Sequence, residues 1–153
     1  MDLKKKILIG VIACFVVIQF IQPARNKSKD VYPTDIERMY FMSANVKALL
    51  KNACYDCHSE NTRYPWYSNI QPGAWYMSRH ISNGRKELNF NLFGEYSVRR
   101  QVSKLKAIAN SINDKSMPLW SYTLVHRDAV LSGDQAKIIS NWISKTLDSL
   151  AVE

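Results

Sequence analysis

Cys54-Tyr55-Asp56-Cys57-His58 is the stretch of this chain whose residue types and spacing could do chemistry. Two thiols three positions apart reach two vinyl groups on one edge of a porphyrin and form thioethers. The histidine that follows is carried beneath the ring, where a nitrogen can bind iron. This is the C-x-x-C-H pattern of c-type haem attachment, so the residues predict one covalent haem c, with Cys54 and Cys57 as anchors and His58 as the proximal ligand. Other chemistries use the same residue types. A thioredoxin-like redox pair needs an α/β context, which this sequence does not offer. A zinc site would combine Cys54 and Cys57 with His58, His80 or His126, but His58 adjoins a ligand cysteine and no second C-x-x-C is present. A disulfide across two intervening residues is strained.

A second iron ligand has several candidates. Met117, followed by Pro118, lies in a loop after a helix-like segment, and a thioether there would give His/Met coordination and a higher reduction potential than His/His. The proline fixes the backbone beside it. His80 is the next candidate and His126 the one after; an open, five-coordinate iron is the remaining arrangement. Met39, Met42 and Met77 read as packing. Trp66, Tyr67, Trp75 and Trp120 are candidates to line a porphyrin, and Arg63, Arg79 and Arg85 to pair with its propionates.

The elements that must position these groups read as helices. Lys4-Lys5-Lys6 is followed by an apolar run from Ile7 to Ile21, broken only by Gln19, the pattern of an export signal or signal anchor (residues 1–24). Fifteen residues of helix rise roughly 22 Å, short of a hydrocarbon core of about 30 Å, although flanking lysines can snorkel. Cleavage after Ala24 and lipidation at Cys14 are the competing fates. Residues 25–33 read as a polar linker, and 34–153 as the folded domain. Within it, Thr34 and Glu37 form a capping box that opens a helix towards Lys51, with a break near Ser43. Residues 59–93 read as loop with one or two short helical turns. Ser97 opens a helix with Val98, Val102, Leu105, Ala109 and Ile112 on one stripe, and Ser132 with Gln135 caps a last helix that buries Ile139, Trp142, Ile143, Leu147 and Leu150. No strand pattern of useful length appears, so the fold class is all-α.

Composition agrees. The chain has 153 residues, 46% hydrophobic, with a formal charge of +8 and three cysteines, too few for a disulfide-stapled scaffold. Lys and Arg are spread thinly beyond Lys4 to Lys6, which argues against nucleic acid and for acidic protein partners or an anionic membrane.

The run Cys54 to Ser59, with Tyr64-Pro-Trp-Tyr67, Ile70-Gln-Pro72, His80-Ile81, Gly84-Arg85, Leu88-Asn-Phe90, Met117-Pro118, Tyr122, His126 and Trp142, resembles the small bacterial haem-binding domain family. The resemblance covers roughly residues 46–143 and implies a cytochrome c-like helical domain with one haem c. A second proline usually follows Met-Pro in that family; Leu119 stands here instead. The combined expectation is a membrane-tethered, single-haem electron carrier. It would sit on the outer, periplasmic face of a bacterial cytoplasmic membrane as a single-pass protein, exchanging electrons with redox partner proteins. A haem-based sensor or small peroxidase with an open sixth site is the alternative.

Overall fold

The computed structural model describes residues 2–151; residues 1, 152 and 153, at the ends of the expected anchor and domain, lie outside that range. Among the described residues every element is helical, and the one β-type pairing is a single bridge between Lys27 and Asn61. The all-α expectation holds.

α1 (Leu3–Ile18) buries none of its residues. No helix among the described residues is long and apolar enough to cross a membrane. The segment expected as linker is not free. Asn26 donates from its side chain to Ser59 O at 2.8 Å and Thr62 Oγ1 at 3.0 Å, and Ser28 N donates to Glu60 O at 3.0 Å. It therefore lies along the loop that follows His58.

The expected helix from residue 35 to 51 is two helices, α2 (Ile36–Met39) and α3 (Ala44–Ala53), and the break falls at Ser43, whose hydroxyl accepts from Val46 N and caps α3. The cap of α2 differs from expectation. Asp35, not Thr34, accepts from Glu37 N, while Thr34 Oγ1 donates to Asn91 O at 2.9 Å. A carboxylate one position later offers a stronger acceptor to the helix start, which leaves the threonine for a tertiary bond. α4 (Tyr55–His58) carries the cysteine-histidine motif directly after α3.

The larger correction is α5 (Gly73–Glu87), a 15-residue helix where loop was expected. Pro72 and Gly73 stand at its start, where a missing N–H costs nothing. Gly84 lies inside it because a Cβ there would meet Cys57 O at 2.6 Å. Residues that look like loop punctuation are thus a helix start and a close-packing position.

α6 (Val98–Asn113), a short α7 (Trp120–Thr123) and α8 (Gly133–Leu150) complete the domain. α8 opens with the expected capping box of Ser132 and Gln135 and buries Ile139, Trp142, Ile143 and Leu150. α6 buries Gln101, Leu105, Ile108 and Ile112, while Val98, expected on its buried stripe, is exposed. α8 packs on α6 and α3, and α5 packs on α4. Phe90, Phe93, Ile36, Leu50, Leu105, Ile139 and Ile143 are the largest fully buried apolar side chains among the described residues.

Candidate haem-binding site

α3 ends where the motif begins, and a tight turn of α4 presents Cys54, Cys57 and His58 between α5 and the loop that follows it. His58 Nδ1 lies 3.0 Å from Leu88 O, which makes Nδ1 the donor and leaves Nε2 with the free lone pair. Burial lowers the pKa of the imidazole, so the neutral, ligating form is held at neutral pH. Burial also pushes the Cys54 thiol up to about 12 and the Cys57 thiol up to about 11, so both are neutral thiols at neutral pH. Among the described residues no group of three or more His, Cys, Asp or Glu side chains is placed to hold a metal ion.

Two cavities of about 240 and 220 Å³ open beside the motif, and both are lined by Ala53, His58, Glu87, Met117 and Pro118. Taken together they fall within the range of about 300–1,000 Å³ common for small-molecule sites. The first adds Cys54, Phe90, Ile108 and Ile112, an apolar lining; the second adds Cys57, His80, Gly84 and Tyr122. Cys54 borders the first cavity, Cys57 the second, and His58 and Met117 both. His80 borders the second too, with its Nδ1 2.9 Å from Tyr76 O. His126 lines neither cavity: it stacks on Tyr122 at 4.2 Å and bonds the Tyr67 hydroxyl through Nε2.

The expected periphery is corrected on several counts. Trp66, Tyr67, Trp75 and Trp120 line neither cavity; Phe90 and Tyr122 do. Arg63 is committed to Asp56, with Nη2 3.2 Å from Oδ2, and Arg85 to Glu60. Arg79 is exposed and lines neither cavity. The cation on the cavity wall is Lys104, 3.7 Å from Glu87 and mostly sheltered, the better-placed partner for a propionate.

One site residue escaped sequence reasoning. Asp56, between the two cysteines, is buried and accepts from the Tyr122 hydroxyl at 2.6 Å and from Arg63 N at 2.9 Å. Thr62 Oγ1 donates to its carbonyl at 2.6 Å. This carboxylate ties the motif turn to the far side of the second cavity. Its signal in the sequence is weak: an acidic residue inside an otherwise apolar turn.

The residues present fit a haem. Two neutral thiols on adjacent faces of one turn, an imidazole with a free Nε2, an apolar slot and a wall cation match its vinyl edge, iron, ring and propionate. The fold and site define a helical haem-binding domain. Residues 13–145 match the family model described as haem-binding domain, and the chain belongs to that family. Comparison with curated proteins and with solved structures returned no match.

Proposed function

We propose that the protein is a membrane-tethered electron carrier with one covalent haem c, facing the extracytoplasmic side of a bacterial cytoplasmic membrane. The observation that carries the reading is that Cys54, Cys57, His58 and Met117 border two neighbouring apolar cavities that share His58 and Met117. Bound haem supplies an iron that cycles between two oxidation states, without bond-making on a substrate. Cys54 and Cys57 would hold the haem edge as thioethers, and His58 Nε2 and Met117 Sδ would be its iron ligands. The apolar walls keep water from the ring, which together with a thioether ligand raises the reduction potential. The lysine-flanked apolar α1 supports export and tethering, and redox proteins at the same membrane are the partners.

The test is an absorption spectrum of the exported chain, with a pyridine haemochrome assay. A c-type haemochrome is expected, with a weak long-wavelength band of the oxidised protein that Met117→Ala abolishes. His80 borders the second cavity, so a second reading, a sensor or small peroxidase with an open or exchangeable sixth site, has an observation behind it. Ready carbon monoxide uptake by the reduced protein, with a spectrum indifferent to Met117→Ala, would favour that reading and sink simple electron transfer.

A further inference from the structure

The tether is pinned to the domain rather than leashed to it. Gln19, the one polar residue in the apolar run, accepts from Gln71 N at 2.9 Å through Oε1, and its Nε2 lies 3.4 Å from Gln71 O. Gln71 is fully buried, and its Nε2 donates to Ile21 O at 2.8 Å; Trp75 Nε1 donates to the same carbonyl at 3.0 Å. Gln22 Nε2 donates to Asn69 O at 2.9 Å, and Arg25 bonds the Asn69 side chain. Arg25 also sits 4.9 Å from the Tyr64 ring centroid. Every junction residue from Gln19 to Arg25 that carries a polar side chain holds the start of α5 or the turn before it.

Around this junction the surface is apolar and one-signed. Phe20, Ile21, Trp66, Ile70, Trp75 and Tyr76 are all exposed, Trp66 at 77%. Arg25, Lys27, Lys29 and Arg79 stand in the same segments. No Asp or Glu occurs between residues 19 and 29, or between 64 and 85. Exposed tryptophan beside cations and without acids is the composition of a membrane–water interface, where indole and guanidinium groups sit at the headgroups of anionic lipid. The length of α1 points the same way. Sixteen residues rise about 24 Å against a hydrocarbon core of about 30 Å. A short apolar segment draws its flanking residues into the interface, and pinned flanks bring the domain with them.

We propose that the face made by Phe20, Ile21, Trp66, Ile70 and Trp75 lies in the headgroup layer of an anionic bilayer, so that α1 and the domain form one body. The inference rests on the tether in the reading above. α5 begins at this face and carries His80, Asn83 and Gly84 to the haem cavity on its later turns. From Trp75 to Gly84 it rises roughly 14 Å. The cavity is therefore held at a set height above the membrane, suited to a partner that is itself membrane-bound.

Two glycines allow a direct test, because a Cβ at Gly73 or Gly133 meets nothing within 4 Å. Gly73 adjoins the proposed face; Gly133 starts α8, which packs on α3 and α6. The full haem-loaded chain in a Cys14→Ala background, with Gly73→Cys or Gly133→Cys carrying a nitroxide, is mixed with vesicles of phosphatidylcholine and phosphatidylglycerol. Flotation reads tethering, and collision with a water-soluble nickel chelate reads depth. The expected result is flotation of both, with nickel collisions several-fold lower at position 73 than at 133. Gln19→Leu, which keeps α1 apolar but removes its two bonds to the Gln71 backbone, should leave flotation unchanged and raise collisions at 73 part of the way towards those at 133. A chain that stays in the aqueous layer removes the tether and this inference with it. A chain that floats with position 73 as open as 133 keeps the tether and overturns the pinned face. Dipolar broadening between labels at 73 would show a second copy covering the face, and would overturn it too.

Discussion

Asp56 shows how one side chain shapes the motif turn. Its carboxylate is buried between the two cysteines and holds Tyr122 and Arg63, both through Oδ2. Hydrogen bonds to a charged group contribute about 1.5–3 kcal/mol, and the Tyr122 bond is short and sheltered. Arg63 is about half exposed, so its ion pair adds less. Tyr122→Phe should therefore lower the unfolding free energy by about 1.5–3 kcal/mol, read as a shift in urea midpoint at unchanged slope. Asp56→Asn should cost more, because an amide N–H₂ then faces the Arg63 guanidinium. A Tyr122→Phe variant as stable as the parent would show that the bond does not hold the turn.

Between elements, the decisive contact is the approach of α5 to α4 at Gly84. A methyl group there would press on the Cys57 carbonyl, which belongs to backbone and cannot swing aside. Gly84→Ala gains up to about 1 kcal/mol of helix propensity, yet overpacking costs typically about 1–3 kcal/mol. The variant should be less stable than Gly73→Ala, whose added methyl meets open space, and should yield less covalent haem under the same maturation conditions. Equal stability and haem yield in the two would show that the approach is not constraining. The same contact explains what the sequence hid. The capping box at Ser132, the break at Ser43 and the stripe of α8 are local signals, written within a few residues, and were legible. Pro72, Gly73 and Gly84 mark a helix start and a close approach only once α4 lies against α5, so α5 read as loop. In the site, Cys54, Cys57 and His58 stand out because their spacing is a local pattern within five residues. The Asp56–Tyr122 bond spans 66 positions and leaves no local trace. Trp66 and Trp75 looked like porphyrin packing because composition reports that an aromatic is present, not which surface it faces.

At the scale of the whole molecule, the covalent attachment proposed above would couple haem to stability through the two thiols. In the chain without haem, burial holds Cys54 up to about 12 and Cys57 up to about 11, against an ordinary 9.0. Between those values the folded chain keeps its protons while the unfolded chain releases them. Unfolding then releases protons, so stability is fully present below about pH 9 and falls as pH rises towards about 11, by up to about 1.4 kcal/mol per pH unit for each thiol. Burial pushes the Tyr55 and Tyr122 phenols up as well, which adds a further loss beginning near pH 10. Urea unfolding of the reduced haem-free chain should show the earlier loss, and a Cys54→Ala/Cys57→Ala double variant should keep only the later, phenolic one. Thioethers do not titrate, so the haem-loaded chain should follow the double variant in shape at a higher absolute stability, since the tethered ring is buried and ligated only in the folded state. If the loaded chain instead lost stability from about pH 9 in parallel with the haem-free parent, both thiols would still be free. Covalent attachment at Cys54 and Cys57 would then have to be abandoned, even with haem in the cavity.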